Sequence, residues 1–253
     1  MTQHQRKIVA CIDNSVASRP VVDAACALAR ILGGSVEALH VKEDGTRVVR
    51  ATAEGAGVPL CETSGDPVEQ IIATASADDV AAVVLGARDL PARRSAGHVA
   101  QQLASSVDIP VLIVPPEARP PERIHRVLIA MEGTSAKARP LREAVELASA
   151  EELEIIVVHV DDEASIPRFD DKVQYETDEY VNEFLARYLP GARNATVELR
   201  VGVPADEILR TVDAVSPDLL ALGWPHTDDP RRGKVAHELL DRSRVPVLLV
   251  ALA

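Results

Sequence analysis

An internal repeat constrains this chain more than any other feature of its sequence. Residues 7–41 align with residues 126–160 without a gap, and both ranges end on the dipeptide His-Val. Downstream, GDPVEQII at Gly65 matches GVPADEIL at Gly202, and IPVLIV matches VPVLLV near the end of each copy. The offset between the copies grows from 119 to 137 positions, so the second copy holds an insertion of 18 residues. We therefore predict two copies of one domain.

The repeat also predicts where the domains begin and end. We expect one domain over residues 1–116 and a second over 124–253, joined by a linker at 117–123. The prolines of the linker sequence PPEARPPE favour an extended, semi-rigid spacer. The insertion is expected near 161–189, beginning with a solvated acidic loop at Asp161, and it holds every aromatic residue except the single tryptophan. Its aromatic side chains either pack on the sheet of the second domain or form a surface for a partner.

Each copy alternates β-rich runs with helical segments. In the first copy, the strand-like IVACI precedes a segment that places Val21, Ala25 and Leu28 on one helical face. The apolar run VAAVVLG is typical of a strand buried on both faces. Strands separated by helical crossovers pair in parallel. The sequence thus predicts an α/β fold with two tandem, doubly wound, five-stranded parallel sheets.

Composition excludes several classes of function. The formal net charge of -12 argues against a general nucleic-acid binder and against binding to an anionic membrane surface. No apolar run reaches the roughly 18 residues of a membrane-spanning helix, and the N-terminus has no signal-peptide pattern. Three cysteines without metal-ligand spacing are interpreted as buried, reduced side chains of a cytoplasmic protein.

The predicted ligand cleft lies beyond the carboxyl ends of the strands, where the strand order reverses. Asp13, Val41 and Gly86 follow or end three strands of the first copy. The loop after Gly86 contains Arg88 and leads into a helix at Gly97. Amide groups at a helix N-terminus and nearby arginines suit a phosphate.

The same residues also allow structural interpretations. The cluster Asp13-Asn14-Ser15 is typical of a helix N-cap, and the loop arginines suit a solvated surface. His40 and His159 end equivalent strands, and neither is accompanied by a carboxylate or cysteine cluster at ligand spacing. We therefore expect both rings to bond to nearby loops rather than to bind a metal. His98 begins the last helix of the first copy, where it either caps the helix or contacts a phosphate.

No recognised catalytic motif is present in the sequence. Neither a Walker A loop nor GxSxG, CxxC or HExxH occurs, and no nucleophile–base pair stands out. We therefore expect no enzymatic activity beyond slow nucleotide hydrolysis.

Several of these features together resemble the universal stress protein family in its tandem form. The features are IDNSVAS near the start, a Gly-x-Pro before the third helix, an apolar strand ending in glycine, a long loop and the terminal PVLIV. The resemblance implies strand order 3-2-1-4-5 in each copy. It also implies a cytoplasmic role in stress response and a pseudo-twofold pair of domains joined through their last strands.

Many family members bind ATP through the first-strand aspartate and a loop of the form G-x-x-G-(nine residues)-G-(S/T). In this chain the positions that resemble that site are Asp13, Val41, Gly86, Arg88, Gly97 and His98. The match is incomplete, because Asp89 replaces the second glycine and His98 replaces the serine or threonine. In the second copy, Glu132 replaces the aspartate.

Two functions follow from this resemblance. The first is a non-catalytic stress-response or signalling module with degenerate nucleotide loops. The alternative is an ATP-binding protein that uses the first copy, with weak or no hydrolysis. The candidate partners are an adenine nucleotide and a protein partner or second copy of the chain.

Overall fold

Strands and helices alternate along both copies. The computed structural model describes residues 6–15, 17–42, 47–87, 98–131, 153–161, 195–225 and 233–252. The strands of the first copy are β1 (Lys7–Cys11), β2 (Ser35–Val41), β3 (Leu60–Thr63), β4 (Val80–Gly86) and β5 (Val111–Val114). Its helices are α1 (Ser18–Leu32), α2 (Arg47–Ala56), α3 (Pro67–Ala75) and α4 (His98–Ser106).

The described part of the second copy repeats this pattern. Its strands are β6 (Arg126–Ala130), β7 (Glu154–Asp161), β8 (Ala195–Val201), β9 (Leu219–Pro225) and β10 (Val247–Leu252). Its described helices are α5 (Pro204–Val215) and α6 (Lys234–Arg242). The aromatic part of the insertion, at 162–189, lies outside the described residues.

The ten strands that the structure describes form one sheet, in the order β3-β2-β1-β4-β5-β10-β9-β6-β7-β8. Within each half the strands are parallel and follow the predicted order 3-2-1-4-5. The halves meet where β5 and β10 pair antiparallel, with Leu112 opposite its equivalent Leu248. Equivalent residues facing each other across an antiparallel pair are what a pseudo-twofold axis requires. The predicted fold and the predicted pairing of the last strands are therefore confirmed.

Small aliphatic side chains let the helices approach the sheet closely. In α1, Val21, Ala24, Ala25 and Leu28 are buried against β1 and β4, as the helical periodicity predicts. Alternate residues of the strands face α3 and α4 on the other side of the sheet. None of the helices that the structure describes is both long and apolar enough to cross a bilayer.

Three expectations need correction. The expectation of an apolar strand ending in glycine fits β4 but not β9, which continues past Gly223 to Pro225 because its last residues pair with β10. The proline-rich segment is more than a spacer, since Ala118 is buried in the core. The cysteines form no disulfide, but they are not buried: Cys61 is exposed, and the other two are half-buried.

Candidate functional site

The predicted cleft begins where β1 ends and the chain turns into α1. The Oδ1 atom of Asp13 accepts a hydrogen bond from the Ser15 backbone N–H at 2.8 Å. The Ser18 hydroxyl lies 3.0 Å from the same Oδ1 and 2.7 Å from the Asp13 carbonyl oxygen. Ser15 Oγ in turn accepts from the backbone N–H of Ala17 at 3.2 Å. These bonds order the turn into α1, as polar side chains commonly do at helix starts.

This geometry corrects part of the N-cap prediction. The residue at the cap position of α1 is Ala17, whose side chain has no hydrogen-bonding group. Asp13 and Ser15 lie before the cap position, and their side chains accept hydrogen bonds from backbone N–H groups of the loop that leads into the helix. One carboxylate oxygen of Asp13 is therefore already bonded within the protein.

The cleft itself is small where the structure describes it. Asp13 and Gly86 line a cavity of about 10 Å³, together with residues from the end of β1 and the start of α1. A volume of that size holds about one water molecule. The remaining lining residues are Cys11, Ser15, Ala17, Ser18 and Val21.

The other predicted site residues are not part of this lining. Val41 lies at the end of β2, opposite Thr63 of β3. Arg88 and Gly97 lie outside the described residues, as does the side chain of His98, whose backbone begins α4. The structure thus brings Asp13 and Gly86 together and leaves the loop prediction untested.

His40 confirms the prediction that the strand-end histidines bond to a nearby loop. Its ring is 1% exposed, and Nδ1 lies 2.9 Å from the carbonyl oxygen of Ile12. Because a carbonyl only accepts, Nδ1 carries the proton, and in the neutral ring Nε2 carries the lone pair. Nε2 is buried and has no hydrogen-bond partner among the described residues.

His159 makes the equivalent bond in the second half, with Nδ1 2.9 Å from the carbonyl oxygen of Met131. Its Nε2 lies 3.3 Å from Oδ1 of Asp161. The expectation of a solvated loop at Asp161 is therefore wrong, although this single carboxylate does not make a cluster of metal ligands. Asp161 is the last residue of β7, and residues two apart on a strand share a face. That alternation was the sequence signal for this pair.

A charged cluster beside His40 was not predicted. Glu62 of β3 lies opposite His40 of β2, with its carboxylate 3.1 Å from the Arg50 guanidinium and 3.8 Å from Lys42 Nζ. The hydrogen bond from Arg50 holds the pKa of Glu62 below its ordinary value. The pairing of these strands depends on register, which no short pattern in the sequence reveals.

The family assignment follows from the match of this chain to known proteins. The model of the universal stress protein family matches residues 46–115 and 123–251, which together cover most of the chain. The chain belongs to the universal stress protein family. No curated protein matches this universal stress protein in sequence.

Solved structures share the whole fold of this universal stress protein. One from Archaeoglobus fulgidus, itself a universal stress protein, is 17% identical, with 99% of this chain and 98% of that chain covered and a TM-score of 0.66. A functionally unknown protein from Pseudomonas aeruginosa is 14% identical, with 98% and 93% covered and a TM-score of 0.70. At these identities the likeness establishes the fold alone.

In the described part of this universal stress protein, side chains and backbone groups form hydrogen bonds with one another where the strands end. Within that part, no three His, Cys, Asp or Glu side chains come together as metal ligands. What the geometry provides is a set of hydrogen-bonded turns and histidine–carbonyl contacts. Such groups hold a loop in place or bind a polar ligand.

Proposed function

We propose that this protein is a non-catalytic stress-response module of the cytoplasm whose nucleotide sites have degenerated. The observation that carries the proposal is the state of Asp13. Its Oδ1 is bonded to Ser15 and Ser18, and the adjoining cavity of about 10 Å³ has room for about one water. The described part of the cleft is therefore smaller than a nucleotide, which would also have to compete with the bonds of Oδ1.

The sequence of the loop after Gly86 supports the same proposal. Asp89 introduces a negative charge at a position where the family motif has glycine. Like charges repel, and a carboxylate beside a phosphate opposes binding unless a cation intervenes. His98 also replaces the hydroxyl-bearing residue of the motif.

The pairing of the two halves within one chain bears on the oligomeric state of the protein. β5 and β10 pair within one chain, which leaves β3 and β8 as the edge strands of the described sheet. Light scattering distinguishes a monomer of 27.1 kDa from a homodimer. The three free thiols are in keeping with a reducing compartment such as the cytoplasm.

A nucleotide-binding experiment tests the proposal. Protein purified without added nucleotide is extracted with acid, and the extract is examined for adenine absorbance. Titration with magnesium and ATP is then followed by calorimetry and by thermal shift. We expect no bound adenine, no saturable heat and no ATP hydrolysis.

A variant sharpens this experiment by restoring the family motif. D89G/H98S returns two loop positions to the residues of the motif. If degeneration of the loop prevents binding, this variant gives saturable heat on titration with ATP, whereas the native chain gives none. Saturable ATP binding by the native chain would instead favour an ATP-binding protein that uses the first half, where Asp13 and Gly86 line the same cavity.

A further inference from the structure

A second and larger cavity lies between the two halves of the chain. Its volume is about 220 Å³, and it opens where the last turns of α1 meet the segment that leads into β6. An engineered apolar cavity of roughly 150 Å³ accommodates benzene, so this one admits a ring with a substituent. The lining residues are Ala27, Arg30, Ile31, Arg123, Ile124, His125 and Leu153.

This cavity is separate from the cleft beside Asp13. That cleft contacts the start of α1 at Ala17 and Ser18, whereas the larger cavity contacts the same helix at Ala27 to Ile31. In the second half it adjoins the residues directly before β6 and β7, at the amino ends of the strands. A ligand here would therefore leave the carboxyl-edge cleft untouched.

Two arginines and a histidine supply the polar side chains of the cavity. Arg30 bonds to the carbonyl and carboxylate oxygens of Glu122, with the carboxylate at 3.1 Å, but this pair is exposed and contributes little. In the described part of the chain, Arg123 and the His125 ring have no hydrogen-bond or ion-pair partner. The chain carries 39 acidic and 27 basic residues, so an arginine without a carboxylate at a cavity points to an anion from outside.

The other residues that line the cavity are apolar. Ala27, Ile124 and Leu153 are buried, and Ile31 is half-buried. Contact with these side chains suits an organic body, and it gives no advantage to a bare inorganic anion.

We propose that this cavity binds a small phosphate monoester with an apolar body. The phosphate lies between Arg123 and Arg30, because a guanidinium matches two phosphate oxygens at once. The apolar body packs against Ile31, Ile124 and Leu153. Occupation would join α1 of the first half to the second half, so the ligand would stiffen the seam between them.

Calorimetry with phenyl phosphate tests the proposal on the full chain. We expect saturable binding of one equivalent, about tenfold tighter than that of inorganic phosphate, because only the ester reaches the apolar wall. R123Q should weaken binding of phenyl phosphate about tenfold. The matched control is R119Q, which removes the same charge from an exposed arginine that does not line the cavity.

R30Q is a second variant, and we expect it to weaken binding as well. Equal loss in R123Q and R119Q would mean that charge alone attracts the ligand, and it would overturn the assignment of the site. Absence of saturable binding by the native chain would do the same, as would binding that survives R123Q unchanged. These outcomes do not depend on whether the Asp13 cleft binds ATP.

Discussion

His40 and His159 occupy equivalent positions in the two halves, and the surroundings of their rings differ. Both rings lie 2.9 Å from a backbone carbonyl at the end of the first strand of their half. Beyond that contact, Nε2 of His40 is buried and has no partner in the described part of the chain, whereas Nε2 of His159 lies 3.3 Å from Oδ1 of Asp161. The two copies thus share the contact between Nδ1 and the loop carbonyl, but the surroundings of Nε2 differ between them.

The carboxylate near the histidine ring also stands at a different position in each half. Glu62 lies opposite His40, but its equivalent Leu199 lies opposite His159. Lys42 stands where the second half has Asp161. The two halves thus keep the same strand order and the same histidine–carbonyl contact while the charged residues around them differ. In each half the carboxylate retains a partner: Arg50 and Lys42 for Glu62, and His159 for Asp161.

The largest expected effect comes from removing the buried ring. H40A should destabilise the protein by about 3 kcal/mol, because it opens a cavity and leaves the Ile12 carbonyl unsatisfied. H159A should cost about half as much, since its side chain is 11% exposed and water reaches the site. Urea unfolding measures both, and H125A at an exposed position serves as the control. Equal losses for the two variants would remove the distinction between the halves.

A smaller effect is expected at the start of the helices that follow β3 and β8. Asp66 caps α3 by accepting the Glu69 N–H at 3.1 Å, whereas the equivalent Val203 of α5 is 60% exposed and makes no such bond. D66A should cost about 1 kcal/mol, and V203D should gain about as much. Thermal and urea unfolding would show opposite shifts, and a loss of stability in V203D would contradict the equivalence of the two turns.

The bond between the halves at Trp224 should contribute less. Trp224 Nε1 donates to Ser105 Oγ of α4 at 3.2 Å, while the equivalent residue of the first half is Ala87. S105A should cost about 0.5 kcal/mol, because it removes this bond while water can still reach the exposed position of Ser105. Trp224 is the single tryptophan, so its emission should shift in S105A and remain unchanged in the exposed S106A.

The smallest effect concerns acid stability at Glu62. Its pKa is below the ordinary 4.5 because of the hydrogen bond from Arg50, so the ionised form favours folding above that value. This contribution disappears as the pH falls through the lowered pKa. Between about pH 5 and pH 3 the native chain should therefore lose slightly more stability than E62Q does. Parallel pH profiles for the two proteins would contradict this assignment.

Much of the fold could be predicted because its signals are local or repeated. The apolar runs and the helical face of α1 gave the elements, and the repeat gave two equivalent halves. The site was predicted less completely. Asp13 and Gly86 meet as expected, but Asp161 was placed in a loop, and Glu62 was missed because its neighbour depends on strand register.

The sequence by itself determined the duplication, the alternation of strands and helices, and the histidine at the same strand end in both halves. Only the tertiary structure decided which groups those histidines face. The same holds for the meeting of Arg30 with Arg123 at one cavity and for the contact of Trp224 with Ser105. The physical reason is distance along the chain: helical and strand periodicities are set by neighbouring residues, whereas these contacts join segments that only packing of the whole sheet brings together.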